Sequence, residues 1–67
     1  MIGKKIREER ERRGWSRREL SIHSGYTEQW LGQIERGEAN PSLPMMLALE
    51  RVLGIKLAGL KEEHDEK

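Results

Sequence analysis

The chain has 67 residues, 37% of them charged, with a net charge of +1 and no cysteine. That length suits one domain with one modest core, and the missing cysteines exclude disulfide staples, thiolate metal sites and a thiol nucleophile. No apolar run is long enough to span a bilayer, and the charged N-terminus MIGKKIREER has no apolar stretch like that of a signal peptide, so a cytoplasmic protein with no membrane partner is expected.

Helical patterns run at about 2–13, 17–24, 28–36 and 43–53, with a weaker fifth near 57–63. Gly14, Gly25, Gly37 and Gly54 follow the first four, where a helix ending favours a residue with positive φ. Nothing alternates with period two over strand length, so an all-α fold is expected. The first helix is strongly basic: residues 1–18 carry eight basic and three acidic side chains, and the rest of the chain five basic and nine acidic. Such an end can serve as a phosphate footprint or as a solvated face laced with pairs such as Glu8–Arg12 and Glu9–Arg13.

The second helix begins at a capping box, Ser16-x-x-Glu19, with Trp15 and Leu20 as a hydrophobic staple. Thr27 caps the third helix, with Tyr26 and Leu31 as its staple. Ser42 caps the fourth, and Pro44 lies in its first turn, where a missing N–H is harmless. The fourth helix is expected to turn Leu43, Met46, Leu47, Leu49 and Val52 inward. The fifth is poorly specified, with Gly59 inside it, and residues 64–67 are expected to form a disordered tail behind a domain spanning 1–63. The remaining core is expected from Ile2, Ile6, Trp15, Leu20, Tyr26, Leu31, Ile34, Leu53, Ile55, Leu57 and Leu60.

The stretch 16–37, SRRELSIHSGYTEQWLGQIERG, is a two-helix unit with linked requirements. Counting Arg17 as first, the fifth position, Ser21, is small where the next helix crosses. The ninth, Gly25, tolerates positive φ. Leu20, Tyr26, Leu31 and Ile34 fill the wedge between the helices. Such a unit can place its second helix in the major groove of DNA.

With Ile2-Gly3, Ile6-Arg7, Arg10, Gly14, Ser16, Leu20, Ser24-Gly25, Thr27, Leu31, Ile34-Glu35, Gly37, Pro41-Ser42 and Leu53-Gly54-Ile55, the chain resembles the lambda-repressor/Cro-like (XRE-type) helix-turn-helix family over about residues 2–60. The resemblance implies a compact five-helix DNA-binding domain. Its function would be that of a sequence-specific, double-stranded DNA-binding transcriptional regulator, a repressor rather than an activator, of bacterial or phage type. The expected operator is an inverted repeat bound by a weak homodimer. The resemblance also implies an Arg10–Glu35 ion pair between the first and third helices.

With Leu31 and Ile34 inward, Glu28, Gln29, Gly32, Gln33 and Arg36 face out. Gln33 and Gln29 are the leading base readers, since a glutamine amide pairs with adenine N6 and N7. Glu28 either accepts from cytosine N4 or stabilises the helix N-terminus, and Gly32 permits close approach to a base. Arg17, in place of the family's usual glutamine, is a phosphate contact, as are Arg18, Arg36, Asn40 and Ser42; Lys4, Lys5 and Arg13 are weaker candidates. Trp30 either donates its indole N–H to the phosphate wall or packs on the domain flank. A protein-binding adaptor of the same fold is the alternative function. An enzyme is not expected: His23 and His64 are isolated, and no nucleophile–base set stands out. No cofactor, metal or small-molecule substrate is implied.

Overall fold

The computed structural model describes residues 2–57. Four helices occupy them: α1 (Ile2–Arg12), α2 (Arg17–Ser24), α3 (Glu28–Glu35) and α4 (Leu43–Leu53). No strand is present among the described residues. Among the described residues the fold is therefore all-α with four helices. Residues 58–63 of the expected fifth helix, the expected core residue Leu60 and the tail 64–67 lie outside the described residues, and Leu57 itself is not helical.

Local chemistry places the ends of these helices. Ser16 and Glu19 close a reciprocal capping box: Glu19 N–H donates to Ser16 Oγ at 3.1 Å and Ser16 N–H to Glu19 Oε1 at 2.7 Å. Thr27 Oγ1 accepts from Trp30 N–H at 3.1 Å, and Ser42 Oγ accepts from Met45 N–H at 3.3 Å. Each cap satisfies an amide that has no partner within its helix. Gly25 ends α2 at φ 84°, a left-handed conformation open to glycine at little cost, and its N–H bonds to Ser21 O. The next residue is then tied from both sides: Ser24 Oγ accepts from Tyr26 N–H at 3.2 Å, and Ser21 Oγ donates to Tyr26 O. The turn between α2 and α3 is thus set by hydrogen bonds from two small side chains.

α1 and α2 each pack against α3 and α4. Ile6, Leu20, Leu31, Ile34, Leu49, Leu53 and Leu57 are fully buried, and Ile2 and Met45 nearly so. Trp15, Tyr26, Trp30, Met46, Val52 and Ile55 cover this core from its edges. Leu57 is held back onto the core by its N–H, which donates to Glu50 Oε2 at 2.6 Å.

The inner face of α4 is rotated from the one expected. Met45, Leu49 and Leu53, at i, i+4 and i+8, are buried, whereas Leu43 is 60% exposed and Leu47 44%. The first seven residues of α4, LPMMLAL, contain no polar side chain. Composition therefore leaves the phase of this helix open, and contact with the other helices selects it.

Two features fix α3 on α1. A β-carbon on Gly3 would lie 2.0 Å from the Ile34 carbonyl oxygen, so only glycine lets the start of α1 touch the end of α3. Farther along α1, Arg10 grips Glu35 with two parallel bonds, Nε to Oε2 at 2.7 Å and Nη2 to Oε1 at 3.0 Å, while its Nη1 donates to Trp15 O at 2.9 Å. The bonds to Glu35 raise the Arg10 pKa further, against the opposing effect of burial. Glu9, also buried, is neutralised by Lys5 at 3.3 Å and Arg12 at 3.0 Å.

Arg10→Ala leaves the Glu35 carboxylate buried without its partner and should destabilise the domain by about 3–5 kcal/mol in urea unfolding; an unchanged midpoint would remove the pair from the framework. Gly3→Ala forces backbone against backbone and should lower stability by about 1–3 kcal/mol, measured the same way.

Candidate nucleic-acid interface

α3 has only eight residues, and their division between inside and outside defines the site. Leu31, Ile34 and Glu35 are buried, as is the backbone of Gly32; Glu28 and Gln29 are exposed, and Gln33 is half-buried. The exposed side borders an open cleft of about 300 Å³ lined by Arg17, Glu28, Gln29, Gly32 and Arg36. Four of these five residues belong to α3 or its C-terminal cap. The fifth, Arg17, opens α2, so the turn at Gly25 and the ion pair at Glu35 together build the cleft.

Gly32 forms its floor. A β-carbon there would lie 2.7 Å from Arg17 Nη1 and 3.0 Å from Arg36 Nη1. Two guanidinium groups, one from α2 and one from the end of α3, therefore converge on the bare backbone at Gly32. Their electrostatic situations differ. Arg36 is held by Glu38 in a forked pair, Nε to Oε2 at 2.9 Å and Nη2 to Oε1 at 3.1 Å. These hydrogen bonds raise the Arg36 pKa and hold the Glu38 carboxyl below its usual range. Arg17 has no hydrogen bond or ion pair among the described residues.

The structure brings Arg17, Glu28, Gln29, Gly32 and Arg36 together. Gln33 lies outside the cleft lining, one helical turn beyond Gln29. Arg18, Asn40 and Ser42 are exposed elsewhere on the surface, and the Ser42 hydroxyl is engaged in capping α4. Trp30 adopts the flank-packing arrangement: its indole N–H donates to Met45 Sδ at 2.6 Å, and the ring lies against the core. The N–H is thus turned toward α4 and not toward a phosphate. Trp15 stacks on His23 with ring centroids 4.2 Å apart and an interplanar angle of 11°, and Arg13 lies over the Trp15 ring at 5.3 Å. This cluster occupies the α1–α2 corner and involves none of the cleft residues.

One feature of the cleft escaped sequence reasoning. Glu38 is the partner of Arg36, a pairing two residues apart across the Gly37 turn that helical spacing rules do not anticipate. Gly32 was expected to permit close approach to a base; the convergence of Arg17 and Arg36 upon it was not foreseen, and a glycine inside a helix, where it costs about 1 kcal/mol relative to alanine, was its signal. No group of three or more histidine, cysteine or carboxylate side chains that could hold a metal occurs among the described residues. Among the same residues, no helix is long and apolar enough to cross a membrane.

Comparison with known proteins gives a consistent picture. Residues 2–62 match the helix-turn-helix domain family. The HTH-type transcriptional regulator SinR of Bacillus licheniformis is 34% identical over 67 residues, covering 98% of this chain and 60% of that protein. The chain thus spans 60% of that relative's length. The crystal structure of SinR, a master regulator for biofilm formation, in complex with DNA superposes with a TM-score of 0.78 at 33% identity, over 84% of this chain and 90% of that one. The restriction-modification controller protein C.AhdI from Aeromonas hydrophila superposes with a TM-score of 0.77 at 36% identity, over 82% and 83% of the two chains.

The Arg36–Glu38 pair gives a pH prediction. Because the folded-state pKa of Glu38 is depressed, the pair is intact above the ordinary carboxylate value and is lost as pH falls through the lowered one. Carbon-detected NMR titration should show Glu38 titrating below the ordinary glutamate value, and Arg36→Ala should return it toward that value.

Proposed function

The chain belongs to the helix-turn-helix domain family, and we propose that it is a sequence-specific, double-stranded DNA-binding transcriptional regulator that lays α3 in the major groove. The observation that carries this reading is the two-sided character of α3. Its inner residues are locked to α1, and its outer side opens on a cleft bearing two guanidinium groups and a glutamine. The structural likeness to SinR, whose crystal structure was determined in complex with DNA, supports the DNA-binding reading.

Gln33 and Gln29 take the role of adenine readers, because an amide supplies both a donor and an acceptor to the N6 and N7 edge. Arg18 and Arg36 take phosphates, aided by Asn40 and Ser42 beside the N-terminus of α4, where the positive end of the helix dipole favours an anion. Trp30 leaves the phosphate set, since its N–H is turned to Met45. The protein works by occupying its site and needs no bond-making chemistry or cofactor. Repression follows most directly, because a bound domain excludes other proteins from the same groove. A weak homodimer on an inverted repeat, with half-sites about one helical turn apart, and a cytoplasmic location complete the reading.

A protein-binding adaptor role draws on a different observation: Leu43 and Leu47, one turn apart on α4, are exposed. A mobility-shift assay with random duplex at low salt separates the two. Retardation at micromolar protein supports DNA binding; no shift favours the adaptor.

Binding should weaken linearly in log–log plots against salt, as counterions are released from neutralised phosphates. Gln33→Ala should relax preference at one base pair by about 1–3 kcal/mol. Glu38→Gln releases Arg36 from its competing carboxylate, so affinity for any duplex should rise severalfold, with a salt slope steeper by up to about one. Equal binding by Glu38→Gln and wild type across the salt series would show that Arg36 takes no phosphate.

A further inference from the structure

Resting on that reading, we infer that Arg17, Glu28 and Gly32 form a notch that reads one G·C base pair, with Arg17 on guanine, so that Arg17 is a specificity residue and not a backbone anchor. Three observations carry this. The Arg17 guanidinium is folded over the outer face of α3, with Nη1 where a β-carbon of residue 32 would meet it at 2.7 Å. A side chain drawn in over the recognition helix sits where base edges pass. It has no hydrogen bond or ion pair among the described residues, so its fork of donors is open to a ligand. Its neighbour Arg36, by contrast, is already held by Glu38.

The third observation decides between phosphate and base. Glu28 lines the same cleft. A carboxylate repels a phosphate, but the major-groove edge of a G·C pair offers both signs of partner. Guanine O6 and N7 accept from a planar guanidinium, and cytosine N4 donates to a carboxylate. Arginine and glutamate lining one cleft thus match a G·C edge and mismatch the phosphate backbone. The same pairing mismatches an A·T edge, whose adenine N6 amino group would confront the guanidinium donors. Gly32 supplies the room: any side chain there would displace the guanidinium from the helix backbone. Gln29, which lines the same cleft, is left for a neighbouring adenine.

The test is selection of bound duplexes from a random library by the full chain, wild type beside Arg17→Lys, Arg17→Ala and Gly32→Ala, followed by affinities for the selected duplex and for its variant with the G·C pair replaced by A·T. Lysine keeps the charge for a phosphate but loses the fork. The wild type should select an obligatory G·C pair and prefer it by roughly 10- to 100-fold. Arg17→Lys should lose most of that preference while binding random duplex nearly as well as wild type, and Gly32→Ala should lose part of it. Retention of the G·C preference by Arg17→Lys would overturn the inference. So would Arg17→Ala weakening every duplex equally with a salt slope reduced by about one, the signature of a phosphate contact. Failure of the wild type to bind any duplex would instead overturn the DNA-binding reading on which the notch rests.

Discussion

The position of α3 depends on the forked ion pair between Arg10 and Glu35. A helix of eight residues has too few internal hydrogen bonds to persist alone in water. It must be held by what it buries. Leu31 and Ile34 supply the apolar part, but apolar contact tolerates sliding and rotation more readily than a planar guanidinium facing a planar carboxylate. The third nitrogen of Arg10 bonds to Trp15 O, so one side chain joins the end of α1, the entry to α2 and the end of α3. Gly3 bears on the same junction from the other end of α1, by allowing contact with the Ile34 carbonyl. A buried pair of this kind contributes little net stability over an apolar substitute, but breaking it from one side is expensive. Its contribution here is geometric, because the cleft beside Gly32 exists only if α3 is held at this angle to Arg17.

The electrostatics of the outer face follow from that geometry. Both arginines at the cleft would repel each other over Gly32 if neither were screened. Glu38 screens Arg36, and the Gly37 turn that ends α3 brings it within reach. The result is an uneven pair of cations, one already satisfied within the protein and one open. Because both members of the Arg36–Glu38 pair are exposed, its effect on stability is slight. In the proposed complex its effect on binding is larger, because the carboxylate takes the Nε–Nη2 edge of Arg36, opposes a phosphate there, and leaves Nη1 as the open edge.

Much of the framework was legible in the sequence because it rests on local chemistry. The caps Ser16, Thr27 and Ser42, the left-handed glycine at Gly25 and the small Ser21 each act over a few residues, and their spacing specifies them. The inner face of α3 was legible for the same reason: Leu31 and Ile34 stand apart from polar neighbours. The face of α4 was not, since LPMMLAL contains no polar residue to mark its outer side, and burial of Met45 in place of Leu43 and Leu47 is settled by the other helices. The close approach at Gly3 joins residues more than thirty positions apart, and no spacing rule reaches that far. Trp30 had two open readings, and only the position of Met45 on a separate helix decides where its N–H points.

Gly32 shows how function and stability divide along one short helix. Placed inside α3, it weakens that helix by about 1 kcal/mol relative to alanine, a serious loss for a segment with so few residues. Nothing in the core requires it, because the space above it is filled by the tips of Arg17 and Arg36 and by no packed backbone. Alanine could therefore be accommodated by moving two flexible side chains, with a gain in helix stability. The glycine makes physical sense only if the arrangement of those two guanidinium groups matters more than the lost helix propensity. The inner face of α3, with Leu31, Ile34 and Glu35, carries the compensation, which allows the outer face to be chosen for what it recognises.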